Sequence, residues 1–326
     1  MKLAWFGVEE WLNPMDSLAR INLGSSCVSA LRMDELFDLT GEDLDAFLNE
    51  MRTMSLHYHH GDATGSPRIK AAVAGIYPKG NVKPEEVMIT HGGTGANDLV
   101  LMSVLEPGDN CVVIKPSYQQ HYDIPKGSGI ETRVVQLKAE DNYQLDFDAL
   151  DKACDANTKM IVLTNPNNPI GVTLYDEGLR KVVDIAAKHD AWILCDEVYR
   201  GLDENYMPSI LDYGYHKAIS ISSMSKMYSM AGTRIGWIVC RDHEMYEGIT
   251  SYLVESNEDP PFLQHHLLRH LGRDHRLHRA GALPGPVGPR PFHSGAQPQD
   301  RGGLGRLPAP PAPACQGHGH HLPDRL

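Results

Sequence analysis

The sequence predicts an α/β protein, a three-layer α/β/α domain around a mostly parallel seven-stranded sheet. Two observations predict it. Short apolar runs alternate with helical patterns between residues 87 and 240. The runs are nearly continuous in apolar residues, the pattern of strands buried on both faces, and strands joined by helices make a parallel sheet covered above and below.

Taken in order, the expected strands are VMIT (87–90), CVVIKP (111–116), ETRVVQL (131–137), KMIVLTN (159–165), WILCDE (192–197), AISISS (218–223) and RIGWIVC (234–240). The segment after Gly92, with Leu99, Leu101 and Leu105, reads as a helix. A second helix starts at Asp146, with Leu150 and Ala153 on its inner side. A third starts at Asp176, where Leu179, Val182, Val183, Ile185 and Ala186 form an apolar stripe. In such sheets ligands bind beyond the strand C-termini, where loops and helix N-termini converge.

Bulk composition narrows the function. The chain has 326 residues, 41% apolar and 22% charged, ordinary values for a globular protein with room for a second, smaller domain. A net charge of −12 argues against nucleic acid or an anionic membrane as partner. No stretch is long and apolar enough to span a bilayer, and Glu9 and Glu10 interrupt any signal-peptide core, so a cytoplasmic location is expected. The six cysteines are scattered without a CxxC pair, which indicates reduced thiols and no metal site.

Composition breaks after about Gln264. The last Lys is Lys226, the last Ile Ile249 and the last Glu Glu258, while residues 265–326 hold 9 of the 17 His and 10 of the 22 Pro. This text has neither helical nor strand periodicity and too little apolar surface to offset the entropy of ordering it. A natural disordered tail is one reading, and adventitious metal binding by its His pairs another. The preferred hypothesis is a reading-frame shift in a GC-rich gene, which yields such Pro/Arg/Gly/His/Ala-rich text. Resequencing the coding DNA around this break tests it, and an intact frame there refutes it.

Chemistry concentrates at the expected strand ends. After VMIT comes His91-Gly92-Gly93-Thr94-Gly95-Ala96, a glycine-rich entry to a helix whose N–H groups and Thr hydroxyl can cradle a phosphate. Alone it is weak, since such turns also serve steric needs. Ser117-Tyr118 follows CVVIKP and offers an aromatic face to a flat heterocycle, although by itself Tyr118 reads first as packing. Pro166-Asn167-Asn168-Pro169-Ile170-Gly171 follows KMIVLTN, a turn that presents an amide. Asp196 ends a buried strand, with Tyr199 three residues on; a carboxylate there needs a cationic partner. Ser223, Ser225, Lys226 and Arg234 surround another strand end, and Lys226 lies among small and apolar residues that suit Schiff-base chemistry.

The ordered set GGTGAN, PSY, NPNNPIG, CDEVY and SSMSKMYSMAGTRIGW resembles the class I/II aminotransferases of the aspartate-aminotransferase superfamily, pyridoxal-phosphate enzymes of fold type I. The resemblance runs from about Asn22 to about Ser256. It implies that Lys226 carries the cofactor and then moves the substrate's α-proton. Asp196 would pair with the ring N–H, Tyr199 and Asn168 would bond the phenolic oxygen, and Tyr118 would stack on the ring. Gly93, Thr94, Ser223 and Arg234 would form the phosphate cup. The family completes that cup with a tyrosine from a second subunit, which implies a homodimer; Tyr58 is the choice here, while spacing to Gly65 favours His60.

The same resemblance implies an N-terminal arm with part of the small domain over 1–34, a large domain over 35–250, a connection over 251–264, and a truncated small domain. No arginine of residues 265–326 lies in the context of the family's carboxylate-binding arginine, so none is assigned and little activity is expected of the chain as written. The implied substrates are an amino acid and a 2-oxo acid. A pyridoxal-phosphate lyase or cyclase on the same scaffold, or an inactive product, is the alternative.

Overall fold

The computed structural model describes residues 2–16, 18–21, 24–54, 62–202 and 206–256.

All seven expected strands form. They are β1 (Val87–His91), β2 (Asn110–Lys115), β3 (Glu131–Gln136), β4 (Thr158–Thr164), β5 (Trp192–Asp196), β6 (Ala218–Ser223) and β7 (Ile235–Cys240). They make one sheet in the order β1-β7-β6-β5-β4-β2-β3. Strand β7 runs antiparallel to both β1 and β6, and the remaining pairs are parallel. Strand β3 departs from the expected two-sided burial. It pairs only with β2, so it is an edge; Val135 is buried while Val134 is 48% exposed.

The helices are α1 (Gly7–Asp16), α2 (Met33–Thr40), α3 (Leu44–Thr53), α4 (Pro67–Gly75), α5 (Gly92–Val104), α6 (Gln120–Gly127), α7 (Phe147–Ala153), α8 (Asp176–Lys188) and α9 (His243–Glu255). The three expected helices are α5, α7 and α8; the others were not anticipated. Several helix ends have a local cause. Asp146 caps α7 by accepting the Ala149 N–H at 2.9 Å, and Asp242 caps α9 by accepting that of Met245 at 2.9 Å. Helix α8 carries Asp176 and Glu177 in its first turn and Lys188 in its last, matching the helix dipole. Helices α2 and α9 run across residues 34–35 and 250–251.

Alternate strand residues face opposite layers. Ile89, Val112, Ile161, Ile193 and Trp237 pack with Ile69 and Val73 of α4, Leu150 of α7 and Leu179 and Val182 of α8. Met88, Val113, Val162, Leu194, Ile221 and Ile238 pack with Leu99 of α5, Ile124 of α6 and Ile249 of α9. Each fully buried aliphatic contributes about 1.5–3 kcal/mol, so this two-sided core sets the frame on which the strand ends are held.

Candidate active site

Register brings the chemistry to one edge. Thr164 pairs with Asp196, Asp196 with Ile221, Ser223 with Gly236, and His91 with Ile235. Because β7 is antiparallel, its first residues and the preceding Arg234 join the C-terminal ends of the parallel strands.

At one end of this edge α5 begins directly after β1, its first N–H groups unpaired within the helix. Gly92 has φ +70°, and a Cβ there would lie 2.7 Å from Arg234 Nη2. From the opposite side, a Cβ on Gly236 would lie 2.3 Å from the Gly92 carbonyl carbon. A Cβ on Gly93 would meet Val198 Cγ1 at 3.3 Å and Ser223 Oγ at 3.8 Å. The structure therefore groups Gly93, Ser223 and the exposed Arg234 at a helix N-terminus. Arg234 holds φ +53°, and its Nη1 donates to the Ala231 carbonyl at 3.3 Å. Ser223 is buried, and its Oγ accepts the Ser225 N–H at 3.2 Å. Thr94 is exposed, and its side chain is hydrogen-bonded to that of Tyr118.

Asp196 lies at the middle of the edge, 4% exposed. Its Oδ2 is 3.2 Å from His121 Nε2 and 3.3 Å from Asn97 Nδ2, and its Oδ1 accepts the Val198 N–H at 3.2 Å. His121 and Asn97 are themselves buried. His121 Nδ1 lies 2.8 Å from Ser117 Oγ, and Nε2 is also 3.1 Å from Asn97 Oδ1. A proton on Nε2 leaves Nδ1 to accept the Ser117 hydroxyl, so this tautomer satisfies both contacts. Tyr118 is flanked by the Phe6 ring at 5.3 Å and by His121 edge-on at 6.1 Å. Burial pushes the Tyr118 phenol up, and the nearby Glu9 charge adds to this.

Lys226 is half-buried at the loop after β6. Its Nζ donates to Ser26 Oγ and to Cys27 Sγ, each at 3.1 Å. Ser26 also lies beside Tyr199, whose phenol is pushed up by burial and held back by Ser26 and the Lys226 charge. Asn168, Tyr199, Ser26 and Tyr175 line an open cavity of about 610 Å³. Lys226 and Asp196 are not in its lining, so the cavity adjoins them without enclosing them.

The loop carrying Tyr199 is fastened from beneath. Glu197, 1% exposed, accepts Ser209 Oγ at 2.9 Å, the Ile210 N–H at 2.7 Å and Ser220 Oγ at 2.9 Å. Arg200 Nε lies 2.9 Å from Oε2, the oxygen that also accepts from Ser220, and the guanidinium sits over the Tyr77 ring at 4.4 Å. Burial pushes the Glu197 carboxyl up, and the Arg200 charge opposes it. A Cβ on Gly201, at φ +102°, would lie 2.2 Å from Met227 Sδ, so the glycine admits the side chain next to the lysine.

Of the expected site residues, Tyr199 and Asn168 thus line one cavity with Ser26, and Lys226 adjoins it through its hydrogen bond to Ser26. Asp196 and Tyr118 meet through His121, and Gly93, Ser223 and Arg234 converge at α5. Tyr58 and His60 lie outside the described residues. Four further residues take part in the site: His121, Asn97, Ser26 and Cys27. His121 and Asn97 stood inside the motif text (PSYQQHY and GGTGAN), and their signal was polarity on helices that start at strand ends. Ser26 and Cys27 gave no such signal. Among the described residues, no group of three or more His, Cys, Asp or Glu is placed to hold a metal ion, and no helix is long and apolar enough to cross a membrane.

Comparison with known proteins bears on this site. A crystal structure of a PLP-dependent aminotransferase from Streptococcus suis superposes with a TM-score of 0.79 at 37% identity, covering 87% of this chain and 73% of that one. Nicotianamine aminotransferase 1 of Oryza sativa subsp. japonica is 28% identical over 241 residues, 70% of this chain and 49% of its own length. The aspartate aminotransferase of Pyrococcus horikoshii is 31% identical over 187 residues, 56% of this chain and 48% of its own. The chain thus spans about half the length of these two curated relatives. The profile of the aminotransferase class I and II family matches residues 45–272. With most of its length matched and its fold shared, the chain belongs to the class I and II aminotransferases, a family whose cofactor is pyridoxal phosphate.

Proposed function

We propose that this protein is an aminotransferase that moves an amino group from an amino acid to a 2-oxo acid, with Lys226 as the cofactor-bearing residue. The observation that carries the reading is a single sheet edge bearing a basic helix N-terminus, a buried carboxylate and a primary amine. The donors fit the cofactor: side-chain-free Gly92 and Gly93, Ser223 and Arg234 suit a phosphate, and buried Asp196 has the acceptor a protonated ring nitrogen needs. The relatives described above are all aminotransferases, which supports the same reading.

When bound, pyridoxal phosphate supplies an aldehyde that takes up the amino group and a ring that draws electrons from the substrate's α-carbon. The chain's own residues do the rest. Gly93, Thr94, Ser223 and Arg234 would hold the phosphate. Asp196, aligned by His121 and Asn97, would keep the proton on the ring nitrogen. Asn168 and Tyr199 would bond the phenolic oxygen, and Tyr118, held by Phe6 and His121, would cover the ring face. The Lys226 amine would take the α-proton and return it two atoms away, across the amino nitrogen. A homodimer is part of this reading, with Tyr58 reaching the partner's phosphate cup.

Loading the protein with pyridoxal phosphate and adding amino acids one at a time tests the proposal. The expected result is a visible absorbance band, absent in Lys226→Ala, that bleaches as one equivalent of 2-oxo acid appears. Release of ammonia with the oxo acid, or a cyclised product, would replace transamination with elimination or cyclisation.

A further inference from the structure

Lys226 is approached by a segment far from it in sequence. Residues 24–32 cross the sheet edge without regular structure and are tethered where the Leu31 N–H donates to the Ser229 carbonyl at 2.9 Å, three residues past the lysine. Leu31 also packs against the buried core, which fixes the segment's course. Upstream of that tether Ser26 Oγ and Cys27 Sγ each lie 3.1 Å from Lys226 Nζ, and Ser26 lies beside Tyr199. Ser25 Oγ accepts the Cys27 N–H at 3.1 Å, which turns the Cys27 backbone back on itself.

We propose that Ser26 is a positioning residue, a seat that holds the Lys226 amine beside Tyr199 whenever the amine is not joined to the cofactor. The inference rests on the reading of Lys226 as the cofactor-bearing lysine. A lysine amine on its four-carbon stem has many rotamers, yet as a base it must stay at one place through each catalytic cycle. A neutral amine has two N–H bonds and one lone pair. The Ser26 oxygen and the Cys27 sulfur accept the two N–H groups, which leaves the lone pair for the α-proton. Of the two acceptors the hydroxyl is the stronger, since thiol sulfur accepts weakly. Ser26 can also exchange a hydrogen bond with Tyr199 while accepting from Lys226, because a hydroxyl has one proton and two lone pairs. It thereby sets the distance between the amine and the phenol without touching the reacting carbon.

The test uses the full chain as wild type, Ser26→Ala, Ser26→Thr and Lys226→Ala. Each is first freed of cofactor and mixed with pyridoxal phosphate, and the growth of the Lys226-dependent visible band is timed. Each loaded protein is then mixed with an L-amino acid and with its α-deuterated form, and the first turnover is followed. Ser26→Ala should capture cofactor and complete the first turnover about tenfold more slowly, the worth of one hydrogen bond, with a larger α-deuterium effect. Ser26→Thr, which keeps the hydroxyl, should recover most of both rates. Unchanged capture and an unchanged isotope effect in Ser26→Ala, with a normal wild-type band, overturn this inference alone. Slowing without a larger isotope effect, or without recovery in Ser26→Thr, also overturns it, since that is the mark of a merely structural role. A wild-type chain with no Lys226-dependent band overturns both this inference and the reading beneath it.

Discussion

His121 Nε2 and Asp196 Oδ2 meet at 3.2 Å with neither residue in contact with solvent beyond a few per cent. A buried carboxylate is costly unless its oxygens are occupied, and here an imidazole, an amide and a backbone N–H occupy them. His121→Leu removes one of the three and leaves the Ser117 hydroxyl with only Thr164 Oγ1, at 3.3 Å. The expected loss is about 2–3 kcal/mol of unfolding free energy, read from urea denaturation without cofactor. A loss within experimental error would mean that Asn97 and Val198 alone satisfy the carboxylate.

The approach of Gly236 to Gly92 is closer than any side chain permits. Gly236→Ala must push the start of α5 away from β7, at a cost of about 1–3 kcal/mol or more. Thermal unfolding should show a lower midpoint and weakened cofactor binding together. Normal stability and normal binding would mean that the strand shifts without disturbing the helix.

Arg234 is the guanidinium at the α5 N-terminus, and its contribution should be affinity. Arg234→Ala is expected to weaken pyridoxal phosphate binding about 10- to 100-fold, as a charge-assisted contact to phosphate implies. Equilibrium dialysis measures this. Arg234→Lys should recover part of it, because a point charge replaces a two-pronged donor.

Far from the site, the Arg133 guanidinium at 2.7 Å holds the Asp155 carboxyl well below the usual carboxylate range, helped by Asn110 and the Asn157 N–H. Such a group stabilises the fold above its unfolded pKa, near the ordinary 3.8, and that stabilisation is lost as pH falls toward the folded value. Asp155→Asn should therefore lower stability modestly at pH 7 and flatten its decline below about pH 4, so that the two proteins converge in acid. An unchanged acid limb in urea titrations at several pH values would remove Asp155 from the acid response.

The strands were legible because burial on two faces leaves a nearly unbroken apolar text, as in MIVL at 160–163 and WILC at 192–195. Helices α7 and α8 were legible from a cap or an apolar stripe. Helix α6 was not, since Pro125 and Gly127 blur its pattern, and β3 lost its expected two-sided burial because edge position belongs to topology. Motif order also located Lys226, Asp196 and Arg234 at strand ends.

What the sequence determined by itself was therefore local: which segments are strands, which turns follow them, and which polar residues those turns present. Tertiary structure alone decided which of these residues meet. The antiparallel insertion of β7 between β1 and β6 carries Arg234 to Gly92, and the packing of α6 carries His121 to Asp196. The tether of Leu31 to Ser229 carries Ser26 to Lys226, 200 residues away in sequence. Contacts of that kind depend on strand order and register, which a hydrophobic pattern read along one chain does not encode.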